Sequence, residues 1–343
     1  MRQAELAPYT SDLRDLVRRY GMLVVFLGLF LVFAATSPAF RSSANLVNLL
    51  QQNATFGIVA CGMLLMIVTG GFDLSVGAVA AMSGVVGAYL ITHLPGLAIP
   101  LGVLGALATG ALAGLLNGVL IAVVGINPFV ATLGSQILTR GLLYIATDAR
   151  PIYGMPAEFT TVGIGEIGPF PVATSLFALV ALGTFLLLRF TQFGHYLYAV
   201  GGNEEASGLA GIQVSRVKTL AYVAGGTLAA LGGLVLLGQT NIGQPAAAEQ
   251  WPLTVIAIVV VGGTPLSGGT GGITSVILGT FILGMVGNAL NLYNASPYWQ
   301  PAITGLILLT SVGLERYTAR FEQKGGAPAG RAGQQVLQPT SKG

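Results

Sequence analysis

The stretch IVACGMLLMIVTGGFDLSVG, residues 58–77, is an uncharged apolar run that stops at a glycine pair and then presents an acid. Asp73 is the only acidic residue between Asp15 and Asp148. In hydrocarbon such a run can satisfy its own backbone groups as a helix. The glycine pair ends that helix, and Ser75 or Asp73 is placed to cap the next one. The frame G-G-x-x-L-S-x-G returns 192 positions later as GGTPLSGG, residues 262–269, with Pro265 in place of the acid. If capping were the only task, Ser267 would do it alone in the second copy. The extra carboxylate of Asp73 therefore asks for a further reason, and acids near a membrane are functional candidates. The favoured reason is a lock between helices, with Asp73 pairing with a basic residue such as Arg140.

Outward from this stretch the chain keeps the same character. Of 343 residues, 53% are hydrophobic and 8% charged, with 50 glycines. That balance excludes a soluble domain of this length and predicts an all-α polytopic membrane protein. A hydrocarbon core takes about 20 apolar residues per helix, and about ten segments qualify: 20–36, 46–69, 75–93, 98–124, 128–146, 172–188, 219–238, 253–262, 273–290 and 300–314. The eighth is half a span before Gly262 and Gly263, which predicts a broken or re-entrant helix held inside protein. One membrane domain, residues 20–316, is expected between a cytoplasmic N-terminal segment, 1–19, and a cytoplasmic tail, 317–343, whose Gly, Ala, Gln and Pro content suits disorder. Arg18 and Arg19 before Met22 imitate a signal peptide, but Asp12 and Asp15 in the leader favour a retained helix.

Ten crossings with both termini inside put twelve of the fifteen basic residues in the cytoplasm: Arg2, Arg14, Arg18, Arg19, Arg189, Arg216, Lys218, Arg316, Arg320, Lys324, Arg331 and Lys342. Only Arg41, Arg140 and Arg150 fall elsewhere. An odd number of crossings would split the pattern, so the positive-inside rule supports this orientation. The net charge of +3 then reflects the membrane face and not nucleic acid. The lone Cys61 lies in an apolar segment and reads as a small buried residue.

Two longer polar stretches remain. Residues 147–171 mix Pro, Gly and aromatics with three acids and suit an ordered extracytoplasmic loop over the outer mouth. Residues 189–218 are cytoplasmic and carry a short helix signal. Asn203 is a good N-cap, Glu204 and Glu205 fall in the first turn, and Gly211 is placed to stop the helix after about two turns. A helix that short is marginal alone and needs a surface to lie against.

Four blocks carry a family resemblance: GGFDLSVG at 70–77; GLLNGVLIAVVGINPFVATLGSQILTRG at 114–141; GHYLYAVGGNEEASGLAGIQVSRVK at 194–218; and VVVGGTPLSGGTGG at 259–272, followed by Trp299 and Gln300. In these blocks the chain resembles the permease subunit of ribose-type ABC importers. The resemblance implies a dimer of two permease copies or paralogues and a cytoplasmic ATPase docking near residues 203–211. It also implies a periplasmic or extracellular sugar-binding protein delivering a monosaccharide, all at a bacterial inner membrane. The docking candidates are Gly202, Asn203, Glu204, Glu205, Ala206, Gly208, Leu209 and Gly211. No G-x-x-x-x-G-K-[ST] loop occurs here, so nucleotide hydrolysis is expected on a separate chain and not here. Three departures from the family pattern bear on substrate: Pro252-Leu253-Thr254 where an acid-Leu-acid segment is usual, Phe72 for Ile, and Asn127 for a proline or basic residue.

Polar residues on apolar spans are the candidates for a solute pathway: Asn53, Asn117, Gln136, Asn288 and Asn291, with Trp299 and Tyr298 as stacking surfaces. Asp73 joins them as a second option for bonding sugar hydroxyls. Buried amides also simply join helices in membranes. The two histidines, His93 and His195, and one cysteine make no metal cluster, and no cofactor is implied. The rival readings are a permease for a nucleoside, a sugar-derived signal or a branched-chain amino acid, and an ion-coupled secondary carrier with midplane sites.

Overall fold

The computed structural model describes residues 7–325 apart from Pro95, Leu97 and Pro297. In chain order the elements are α1 (Ala7–Thr36), α2 (Ser43–Val68), α3 (Val76–His93), α4 (Ala98–Ala122), α5 (Pro128–Thr147), β1 (Ile152–Tyr153), α6 (Ala157–Ile164), β2 (Glu166–Ile167), β3 (Phe170–Pro171), α7 (Val172–Phe190), α8 (Gln192–Gly202), α9 (Glu204–Leu209), α10 (Val214–Thr240), β4 (Ile242–Gly243), α11 (Trp251–Val261), α12 (Ile273–Leu292) and α13 (Trp299–Gly325). Helices α2, α3, α4, α5, α7, α10 and α12 are long and apolar enough to cross a membrane, while Tyr20–Thr36 and α11 are apolar but shorter. The protein is all-α and polytopic. The expected segment 20–36 is part of a longer helix, and α13 continues past residue 316 to Gly325. No proline or glycine interrupts residues 314–324, which are rich in helix formers. Residues 1–6 and 326–343, with Arg2, Arg331 and Lys342, lie outside the described residues.

Helix α2 is the axis of the bundle. It carries no charge, and every residue from Ile58 to Val68 is buried. It packs on α10, α7, α11 and α12. Lipid tails are as apolar as leucine, so close van der Waals packing holds such helices together, and small residues set how near they come. The glycines of GALATGALAGLLNG, residues 105–118, show this. A methyl group added at Gly114 would lie 2.2 Å from Tyr222 O, and one at Gly226 would lie 2.2 Å from Gly110 O. Helices α4 and α10 therefore run antiparallel with backbones touching. On the other side of α10, Gly233 meets Ala80 O of α3 in the same way. The outward faces of α4, α5 and α7 present Leu112, Ile145 and Leu179, 65 to 78% exposed, to lipid.

Both copies of the repeated glycine frame end a helix, by the same device in a different register. After α2, the Gly70 N–H bonds Ile67 O at 2.8 Å and the Gly71 N–H bonds Met66 O at 3.0 Å, with Gly70 at φ +79°. After α11, the Gly263 N–H bonds Val260 O at 2.9 Å and the Thr264 N–H bonds Val259 O at 3.1 Å, with Gly263 at φ +104°. Each is a Schellman end, which needs a left-handed residue just past the helix. The first glycine of the pair takes that place in one copy and the second glycine in the other. The helix restarts differ too: α3 begins at Val76, whereas α12 waits until Ile273 with Gly272 as its cap. Ser267 thus caps nothing, contrary to expectation, because the chain stays irregular for five residues beyond it.

Helix α11 is interrupted at both ends, which widens the expected break around 253–262. Residues 244–250 lie against the start of α3, where a methyl on Gly77 would lie 2.2 Å from Ala248 O, while Gln244, Ala246, Glu249 and Gln250 stay exposed. At the other end α11 and α12 form a tight antiparallel hairpin, with Gly262 against Ser275 O and Gly279 against Ile258 O. The polar stretch 147–171 is ordered as well: β1 pairs antiparallel with β4, β2 with β3, and Phe159 of α6 is fully buried.

Candidate functional site

Asp73 lies in the turn between α2 and α3 and is 1% exposed. Its Oδ1 accepts from the Ser75 N–H and from the Ser75 hydroxyl, both at 2.6 Å, and its Oδ2 accepts from Asn117 Nδ2 at 3.2 Å. Asn117 Nδ2 also donates to Ser75 Oγ at 2.9 Å, and Asn117 Oδ1 accepts from the Ser135 hydroxyl. From the opposite side Tyr222 donates its hydroxyl to Phe72 O at 3.0 Å. One buried network thus joins the 70–75 turn to α4, α5 and α10. Burial pushes the Asp73 carboxyl above its usual range, and the donors of Ser75 and Asn117 act in the opposite direction.

Asp73 bonds Asn117 of α4 and not the expected basic residue, and Arg140 is no part of the network. Arg140 lies five residues beyond Ser135 on α5, about 7 Å further along the helix. Its Nη1 donates to Pro245 O and, at 3.0 Å, to Ala247 O. Nη1 thus serves carbonyls of the segment before α11, while Nη2 is buried with no partner among the described residues. Ser75 makes no capping bond with its own side chain; Asp73 takes the Ser75 N–H instead.

The seven pathway candidates are dispersed. Asp73 and Asn117 share the network just described. Asn288 exchanges two amide hydrogen bonds with Asn45, at 2.8 and 3.0 Å, at the other end of α2. Asn45 and Val68 are separated by about 35 Å of helix. Asn53 donates to Leu49 O at 2.8 Å and packs on Gly284, so it joins α2 to α12. Gln136 is half-buried on α5, and Asn291 and Trp299 are exposed near the link between α12 and α13, with Tyr298 85% exposed beside them. A cavity of about 310 Å³ between α7, α8 and the start of α12 is lined by none of the seven. A further polar set was not singled out from sequence: Gln239 accepts from the Thr55 hydroxyl and donates to the backbone O of Gln51, whose own amide donates to Gly163 O of α6. Their uncharged amides near helix ends gave the only signal. One departure from the family pattern has a local reason, since Asn127 caps α5 by accepting from the Phe129 N–H; the structure offers none for the Phe72 side chain.

The docking candidates form one surface. Asn203 Oδ1 accepts from the Ala206 N–H at 2.8 Å, and Gly211, at φ +87°, turns the chain after α9. Gly202, Asn203, Glu204, Glu205, Ala206, Gly208, Leu209 and Gly211 are all exposed; Ser207 alone turns inward. Leu209 is 86% exposed. Lys218 of α10 reaches Glu204, tethering the helix to the bundle.

A central uncharged helix and spans that end at glycine pairs make this a polytopic helical membrane protein. The chain matches the family model of the branched-chain amino acid transport system / permease component over residues 45–312, and it belongs to that family. It is 41% identical to the ribose import permease protein RbsC of Bacillus subtilis over 300 residues, 85% of this chain and 91% of the relative. It is 41% identical to the L-arabinose transport system permease protein AraH of Escherichia coli over 307 residues, 89% and 92% of the two chains. With the RbsC of Haemophilus influenzae it shares 36% over 301 residues, 85% and 92%. No solved structure matches this chain.

Proposed function

We propose that this chain is the permease subunit of an ATP-driven, binding-protein-dependent importer that moves a monosaccharide across the bacterial inner membrane. The observation that carries the proposal is α9: six residues, capped by Asn203, with both carboxylates and Leu209 displayed to solvent. With Glu204 paired to Lys218 of α10, the exposed acid Glu205 offers charge complementarity to a basic partner surface. The partner is a cytoplasmic ATPase, which places α9 and both termini in the cytoplasm and the 147–171 loop outside. The names of the relatives, for ribose and for L-arabinose, support a monosaccharide. The dispersal of polar residues in a single copy supports a pathway completed by a second permease copy. In this reading the chain is not itself an enzyme: ATP binding draws two ATPases together, each pulls on one α9, and differential affinity for the two permease states does the work.

The test is purification of the tagged chain from its native host, identification of what accompanies it, and reconstitution with those proteins in liposomes. Co-purified ATPase and ATP-dependent uptake of labelled ribose or arabinose with the external binding protein are expected. A chain that comes out alone and moves solute under an ion gradient without ATP supports the secondary carrier instead.

A further inference from the structure

Helix α8 connects the docking helix α9 to the bundle, and its contacts converge on one place. Tyr198, on α8, donates its hydroxyl to Gly271 O at 2.8 Å. One turn further, a methyl group on Gly201 would lie 1.8 Å from Val68 O and 2.6 Å from Gly269 N, so only glycine fits there. Gly269 itself, at φ +75°, lies against Gly202 and donates its N–H to Val68 O at 2.9 Å. Gly268, at φ +80°, lies against the N–H of Gly70. The end of α8 is thus wedged between the two repeated glycine turns, one ending α2 and the other at the tip of the α11–α12 hairpin. The tip is held in backbone conformations that favour glycine. Gly263, Gly268, Gly269 and Gly271 all have positive φ, and Thr264 Oγ1 is buried with no hydrogen-bond partner. The hairpin arms are rigid, since Gly279 and Gly262 bring backbone against backbone. Close backbone packing of its two arms lets the hairpin shift as a unit when its tip is displaced.

Building on the docking assignment above, we propose that Tyr198 and Gly201 are the positioning residues that convey movement of the ATPase-bound α9 to the α11–α12 hairpin. Gly201 supplies the close steric contact and Tyr198 the hydrogen bond, so a pull on α9 displaces the 262–272 tip against the end of α2. Loss of either residue separates hydrolysis from transport, which a purely structural role does not.

The experiment uses the complete importer in proteoliposomes, comparing wild type with Tyr198→Phe and Gly201→Ala. Uptake of the labelled sugar and ATP hydrolysis are measured in the same vesicles, with gel filtration reporting assembly. Tyr198→Phe removes one hydroxyl. It is expected to assemble normally, to hydrolyse ATP within about twofold of wild type, and to lower sugar moved per ATP about fivefold, the factor that one net hydrogen bond supports. Gly201→Ala is expected to lower the ratio further wherever it assembles. An unchanged ratio in Tyr198→Phe overturns the proposal, and so does a parallel fall of uptake and hydrolysis. Chemical cross-linking of Glu205→Cys to the ATPase is run alongside. Absence of that cross-link in wild-type background refutes the docking assignment itself, separately from the role of Tyr198.

Discussion

Asn117 Nδ2 stands 2.9 Å from Ser75 Oγ, so one amide on α4 holds the start of α3 and, through its carbonyl oxygen, the hydroxyl of Ser135 on α5. With Asp73 it forms a closed set in which each polar group is answered inside the protein. Such a set is costly to open, because the remaining groups stay buried without partners.

Asn117→Ala is therefore expected to destabilise the protein by about 2 kcal/mol, the range for buried polar groups left unsatisfied. Asp73→Asn, which keeps an acceptor for the Ser75 N–H, is expected to cost less and to reduce uptake. Thermal loss of monodispersity in detergent measures the first effect. An Asn117→Ala protein as stable as wild type would remove the network from any structural role.

The contact between α4 and α10 predicts a contrast between two glycines. Gly226→Ala forces a methyl onto Gly110 O, while Gly134→Ala places one where no atom lies within 4 Å. The former is expected to lose at least about 1–3 kcal/mol by overpacking, and the latter to be close to neutral. Folded yield of the two variants decides; equal yields are incompatible with the packing described.

Arg140 is expected to hold residues 245–247 in place, since its guanidinium serves their carbonyls. In an Arg140→Met background, a cysteine placed at Ala247 is expected to react faster with a polar maleimide than in the wild-type background, because the freed backbone groups seek water. Identical rates in both backgrounds sink the idea.

Glu205→Arg and Gly208→Trp alter the exposed face of α9 without touching the bundle. Both are expected to abolish uptake and ATPase co-purification while leaving membrane insertion intact. Preserved uptake in both removes α9 as the docking element.

Orientation is checked with cysteines at Asp148 and Glu205. Cys61 is fully buried and silent to such reagents. A membrane-impermeant maleimide applied to intact spheroplasts is expected to label the residue 148 variant and spare the residue 205 variant until the membrane is opened. The reverse pattern inverts the topology.

The sequence determined the class of this protein and most of its helices, because hydrocarbon permits few structures and a run of uncharged residues announces the one it takes. It also determined α9, since Asn203, Glu204, Glu205 and Gly211 act through local backbone bonds that need no distant partner. It marked Asp73 as unusual and pointed to a partner on another helix, while naming Arg140 where the structure has Asn117. Which cation or amide meets an acid depends on how α4 and α5 lie against the turn, and helix periodicity carries no such distance. The register of the two glycine turns escaped the sequence for a similar reason. The same eight-letter frame ends α2 with its first glycine and α11 with its second, because packing against α8 and α12 decides where each helix stops. Tyr198 and Gly201 looked ordinary in the sequence. Only the tertiary structure brings the end of α8 between turns at residues 70 and 269, where a missing side chain is what lets three backbones meet.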